Sequence, residues 1–242
     1  MGWMTRHFFP ELDSTQTLLR EWAETTPLSH GTLVWTKHQR AGYGRRGHSW
    51  FSTSGESLTC SFFLQNGIEP STLLVRTALA LYDTIRPYSS NPLYLKWPND
   101  LWSAPEPMGK LAGILGEIRW ESSRPRYAII GIGVNVYQTA FPPNIPAVSL
   151  RQIGTPPPSI EQLLEGFEEA FAQWYLSDSA YVRKAFLKRA WRTGTLHIDS
   201  QCLHAQLMDW DEKDMLHFAT EKGLYPVPAL LATDAWKPRF CA

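Results

Sequence analysis

Apolar residues recur along this chain at two spacings, and the switch between them divides it into elements. Leu18, Leu19 and Trp22 fall at helical intervals behind Asp13-Ser14-Thr15-Gln16, whose side chains suit a helix start, with Asp13 and Gln16 at capping-box spacing; the pattern predicts a helix over about 15–24. Strands are predicted at Thr32 to Lys37 and Leu58 to Leu64. Leu73, Leu74, Thr77, Ala78, Leu81 and Ile85 form the apolar stripe of a core helix. Leu93 to Trp97 alternates and stops at Pro98, which sets Asn99 and Asp100 on the loop beyond that strand. Gly113 to Trp120 and Tyr127 to Val136 read as two strands of one sheet joined by the polar turn Glu121 to Pro125, and their glycines mark close approach of a ligand or tight packing.

The proline-rich stretch 137–158 reads as a loop. Ile160, Leu163, Leu164, Phe167, Phe171 and Trp174 then make a helical stripe, with Glu161, Glu165, Glu168 and Glu169 mostly on other faces, and a second helix follows over about 180–191. The acidic surface of this pair opposes a DNA-reading role. Beyond Trp191 the pattern changes to short alternating strands: Thr195 to Asp199, Leu203 to Trp210, Met215 to Thr220 and Leu224 to Leu231. The expected organisation is α+β: a mixed-sheet domain over 1–190 and a small β-barrel-like domain over 191–242.

At 242 residues and 43% hydrophobic content the chain can bury a sizeable core, and 23 basic residues balance 23 acidic ones. No overall field favours nucleic acid or an anionic membrane surface. Cys60, Cys202 and Cys241 are few and far apart, without zinc spacing, which argues against a disulfide framework and for a reducing compartment. The first residues lack the apolar core of a signal peptide and no run approaches membrane-spanning length, so the expected location is cytoplasmic.

Against this neutral background one stretch is strongly biased. Gln39 to Trp50 carries Gly42, Gly44 and Gly47 with Arg40, Arg45 and Arg46, and no acidic residue lies between Glu24 and Glu56. Glycine amides and guanidinium groups together suit a phosphate or carboxylate, and Trp50 offers a face for a planar group. Gly42, Gly44 and Gly47 spell G-x-G-x-x-G, but turn-forming residues follow where a dinucleotide site needs a helix. Gly44-Arg45-Arg46-Gly47 also matches the GXXG clamp of an RNA-binding module, yet it lies between predicted strands, not helices.

Gln39 to Gly47 resembles the adenylate-binding loop of biotin protein ligases, with Tyr43 where that family normally has Arg. In order follow Lys96-Trp97-Pro98-Asn99-Asp100, Lys110 to Leu115 and Gly131 to Val136, each similar to a further signature of the family, with Asp13-Ser14-Thr15 upstream. The resemblance implies a class II synthetase-like catalytic domain with a small SH3-like C-terminal barrel. It also implies ATP-dependent attachment of biotin, through biotinyl-5′-AMP, to a lysine of the biotin carboxyl carrier domain of acetyl-CoA carboxylase. Twelve residues before the Asp-Ser-Thr motif leave no room for the winged DNA-binding domain of repressor forms, so a repressor role is not expected; a homodimer is left open.

By the same resemblance Ser14, Thr15, Gln16 (in place of the usual Asn), Gln39, Gly42, Tyr43, Gly44, Arg45, Lys110 and Gly113 surround biotin. Arg46, Trp50, Asn99, Asp100 and Asn135 surround ATP, with Asn135 reading adenine through both amide atoms and Asp100 holding Mg2+ through water. Lys110 and Arg45 are the candidate catalytic cations between carboxylate and α-phosphate. Two alternatives stay open: a lipoate or other carboxylate-activating ligase of the same architecture, and a non-catalytic RNA-binding module.

Overall fold

The computed structural model describes residues 3–154, 156–198 and 201–238. The elements run β1 (Thr5–Phe9), α1 (Thr15–Thr25), β2 (Thr32–Thr36), β3 (Ser57–Leu64), α2 (Pro70–Ile85), β4 (Leu93–Lys96), β5 (Asp100–Ser103), β6 (Gly109–Glu121) and β7 (Arg124–Asn135). After them come α3 (Leu150–Ile153), α4 (Ile160–Leu176), α5 (Ser179–Arg189), β8 (Thr193–Ile198), β9 (Gln201–Trp210), β10 (Met215–Thr220), β11 (Gly223–Pro228), α6 (Ala229–Ala235) and β12 (Trp236–Pro238).

Seven strands form one mixed sheet in the order β1-β2-β3-β7-β6-β5-β4, in which only β1 and β2 pair in parallel. β3, third in that order, is buried along its whole length, and its alternation divides two environments. Leu58, Cys60, Phe62 and Leu64 join the large core beneath α2 and α4, where Phe62 meets Phe171 edge-on at 4.9 Å between ring centres. Ser57, Thr59 and Ser61 alternate with them, and Ser61 lines the cavity on the opposite face. On that face α1 packs Leu19 against Val34, Phe63 and Ile129.

The second sheet, β11-β10-β9-β8-β12, is antiparallel throughout and buries Leu196, Leu203, Leu207, Leu216 and Phe218. It meets the first half of the chain through Trp97, whose ring lies edge-on to Phe186 of α5 at 5.5 Å and to Trp210 of β9 at 5.1 Å.

Several expectations change. Among the described residues the C-terminal strands make an open sheet, not a closed barrel, because β11 and β12 are its two unjoined edges. The strand expected over Leu224 to Leu231 ends at Pro228 and continues as α6, since a proline at the helix start costs no hydrogen bond. Asp199 and Cys241 lie outside the described residues. Asp100 opens β5 instead of sitting on a loop, and β6 begins at Gly109, which puts Lys110 on a strand. The 137–158 stretch includes α3, opened by a Ser149–Gln152 capping box. At α1 the cap is Ser14, accepting from Thr17 N at 3.4 Å; Asp13 is drawn off to Arg40 at 2.7 Å, so no Asp13–Gln16 box forms. Glu168 is buried on α4 and receives Arg6 Nε of β1 at 2.6 Å.

Candidate active site

Three glycines make the floor of the site. Gly113 faces Gly133 across β6 and β7, and Gly131 lies between Ser61 and Leu115. A Cβ on Gly131 would stand 2.6 Å from Gln16 Oε1, one on Gly133 2.4 Å from Trp50 Cε2, and one on Gly113 2.8 Å from Lys110 Nζ. Each glycine is the space into which a side chain of the site fits.

A cavity of about 260 Å³ lies on this floor. Its closed end is a hydroxyl and amide cluster. Thr15 N and Thr15 Oγ1 donate to Gln39 Oε1 at 2.8 and 3.1 Å, Thr15 Oγ1 meets Ser61 Oγ at 2.8 Å, and Ser61 Oγ donates to Gln16 Oε1 at 3.0 Å. Gln16 Nε2 is taken by Ile129 O at 3.2 Å. Two hydroxyl hydrogens thus serve three contacts, which leaves lone pairs to accept N–H donors from a guest. Cys60 contributes to the wall, and burial pushes its thiol well above the ordinary range, so it acts as a packed apolar group.

The other end of the cavity is charged. Lys110 Nζ lies 2.7 Å from Asp100 Oδ1 and 5.7 Å from the centre of the Trp50 ring. Arg45 Nη1 donates to Asn99 Oδ1 at 3.3 Å, while Asn99 Nδ2 is anchored on Ile114 O at 2.8 Å. The Lys110 backbone is fixed from both sides, by Pro146 O at 2.8 Å and Val148 N at 3.1 Å.

A second cavity of about 150 Å³ adjoins the first, and Ser49, Trp50 and Lys110 line both. Its walls are flat rings, Trp50, Phe51, Trp102 and Phe141, with Asn135 among them. Asn135 Nδ2 donates to Lys110 O at 3.2 Å and Val148 O at 3.1 Å, so both amide hydrogens are spent on the fold. Its buried Oδ1 has no partner. A bidentate reading of adenine is therefore excluded, and what Asn135 offers is one acceptor for an exocyclic amine.

Residues 8–135 match the model of the biotin/lipoate A/B protein ligase family. The chain belongs to that family. It is 33% identical to the biotin–[acetyl-CoA-carboxylase] ligase of Paracoccus denitrificans over 69% of this chain and 74% of that protein. With the Mycobacterium tuberculosis protein of the same name it shares 29% identity over 72% of this chain, and the match spans 66% of that protein, just under two thirds. The fold superposes on a biotin protein ligase from Aquifex aeolicus in complex with biotin and ATP with a TM-score of 0.78, at 25% identity over 93% of this chain and 95% of that one.

Of the residues that resemblance to the ligase family singled out, Ser14, Thr15, Gln16, Gln39, Tyr43, Gly44, Arg45, Trp50, Asn99, Asp100, Lys110 and Gly113 line the first cavity. Asn135 lines the second. Gly42 lies just outside, its carbonyl holding Trp50 N at 2.9 Å. Arg46 is turned away: its backbone is left-handed, with φ 57°, and its guanidinium pairs with Asp234 of α6.

Sequence reasoning assigned no role to Ser61, Ser49, Trp102 or Lys96. The hydroxyl alternation of Ser57, Thr59 and Ser61 was the available signal for the first. Lys96 Nζ lies 4.4 Å over the Trp102 ring, and burial holds its ammonium below the usual lysine range although Asp100 opposes that shift.

Among the described residues no three His, Cys, Asp or Glu side chains come together as a metal cluster. Asp100 is the one carboxylate lining the first cavity. A single carboxylate suits an ion held chiefly by substrate phosphates, as magnesium commonly is with nucleotides.

Proposed function

We propose that this chain is a biotin protein ligase, forming biotinyl-5′-AMP from biotin and ATP and passing the biotinyl group to a lysine of a biotin carboxyl carrier domain. The observation that carries this reading is the pair of cavities meeting at Lys110 and Trp50, one ending in the Thr15–Ser61–Gln16 cluster and the other walled by rings. A cyclic urea has two N–H groups, which the lone pairs of the hydroxyl cluster can accept. The fused rings and aliphatic arm of biotin fit the glycine floor. Adenine fits between the rings, its amine on Asn135 Oδ1.

In this arrangement the biotin carboxylate and the α-phosphate meet beside Lys110. Two anions approach each other only where fixed cations lie between them, which is the work of Lys110 and Arg45. A carboxylate oxygen attacks the α-phosphorus, the bond to the β-phosphate breaks and pyrophosphate leaves. An acceptor lysine amine then attacks the acyl carbon, the bond to AMP breaks, and the amine proton passes to solvent. Positioning and charge suffice, and no side chain becomes covalently bound. Mg2+, which Asp100 would hold together with the phosphates, would supply further charge neutralisation.

ATP as substrate accords with a cytoplasmic location, and among the described residues no helix is long and apolar enough to cross a membrane. ATP–pyrophosphate exchange with biotin, lipoate and octanoate in parallel tests the reading. Exchange with biotin is expected; exchange with lipoate alone would assign the chain to the other branch of its family.

A further inference from the structure

Tyr43 lines the first cavity, and its hydroxyl reaches past it to two residues outside the basic loop. It donates to Glu117 Oε1 of β6 at 3.3 Å and accepts from Arg20 Nη1 of α1 at 3.3 Å. Arg20 Nη1 and Glu117 Oε2 lie 3.5 Å apart, so the phenol sits within an ion pair. Glu117 follows Gly113 and Leu115 at alternate positions of β6 and shares their face of the sheet, which brings its carboxylate to the cavity's rim. A phenol has one hydrogen to give and a lone pair to receive, which is what a carboxylate and a guanidinium together require. An arginine at position 43, the residue the ligase loop usually carries, would reach Glu117 only in competition with Arg20.

Three side chains tie the outer limb of the loop to other elements: Tyr43 to Arg20 and Glu117, Arg45 to Asn99, and Arg46 to Asp234. Arg45 must leave Asn99 to meet a phosphate. The Arg46–Asp234 pair is two-thirds exposed on both sides, at 67% each, and such pairs hold little. The tie through Tyr43 is compatible with an empty and with a filled site. Its ion pair is better shielded, at 45% and 32% exposure.

We propose that Arg20 and Glu117 are positioning residues that hold the basic loop over the first cavity through the Tyr43 hydroxyl, so that the loop is closed before nucleotide arrives. Where the site makes biotinyl-5′-AMP, a step that rests on the function proposed above, the same latch keeps the adenylate in place until an acceptor lysine docks. The loop then owes part of its order to the protein's own surface, where a basic loop otherwise depends on the ligand's phosphate.

Two measurements test this on the full chain: amide hydrogen exchange of residues 40–49 without ligand, and the rate at which preformed biotinyl-5′-AMP is released. Tyr43→Phe and Glu117→Ala should each speed both by roughly three- to tenfold, the range of one hydrogen bond. The double variant should be no faster than the faster single one, because both remove the same tie. Exchange in β3 and α2 should stay as in the parent, which separates loss of the latch from loss of the fold. Parental loop exchange in Tyr43→Phe, or additive effects in the double variant, would overturn the proposal. If biotinyl-5′-AMP never forms while loop exchange responds as expected, the latch stands and the ligase reading fails.

Discussion

Lys110 Nζ and Asp100 Oδ1 stand 2.7 Å apart on neighbouring strands, at the junction of the two cavities. The carboxylate holds the ammonium in place while the site is empty. An incoming phosphate then competes for a cation that is already positioned, which limits the reorganisation needed at the moment of reaction.

Lys110→Ala is therefore expected to lower ATP–pyrophosphate exchange by about 100- to 1,000-fold, the usual cost of removing one charge-stabilising donor. Far-ultraviolet circular dichroism should be unchanged, because the Lys110 backbone contacts to Pro146 and Val148 remain. Near-parental exchange would remove Lys110 from the catalytic set.

Gly133→Ala tests the floor. The new methyl would stand 2.4 Å from Trp50 Cε2, so the indole must leave the surface it shares between the cavities. Nucleotide affinity measured by calorimetry should fall about tenfold, the scale of one lost aromatic contact. The melting temperature should change little, since the displaced ring belongs to a loop.

Arg45 lines the first cavity and touches Asn99 through a single bond of 3.3 Å. In Arg45→Gly, Lys110 still supports activation, but the loop has lost its contact to the adenylate and the closed state is less populated. Biotin should then appear on bystander proteins in proportion to their exposed lysines, as read by streptavidin blotting. Strict labelling of the acceptor would show that the loop is not a lid.

Glu69 gives the pH dependence. Burial raises its pKa, but hydrogen bonds from Ser179, Arg76 and Thr72 outweigh that and hold it below the ordinary glutamate value of 4.5. A carboxylate with a depressed folded pKa contributes stability that is complete above its unfolded pKa and is lost as pH falls through the folded one. Glu69→Gln should therefore lower stability at pH 7 by about 1 kcal/mol, modest because the carboxylate is half exposed. In urea titrations the gap between variant and parent should close below pH 4.5. A gap that persists unchanged in acid would assign the loss to packing.

The elements, and the chemistry available to them, follow from local patterns along the chain. Hydrophobic periodicity located β2, β3, α2, β6, β7 and α4, because alternation and helical spacing are local records of which face is buried. Resemblance of the chain's ordered motifs to the ligase family singled out twelve of the residues that line the first cavity.

What each group is free to do depends on contacts between distant segments. Arg45 and Arg46 are adjacent and chemically alike, yet the left-handed backbone at Arg46 sends its guanidinium to Asp234, 188 residues away, while Arg45 faces the cavity. The family resemblance implies an adenine contact through both amide atoms of Asn135, but the approach of Lys110 O and Val148 O consumes its donors and leaves one acceptor. Ser61, Arg20 and Glu117 acquire their roles from the strand register and from where α1 lies across the sheet. A residue's face is fixed by its immediate neighbours in the chain; its partners are fixed by segments far away, and no local pattern encodes which of them will arrive.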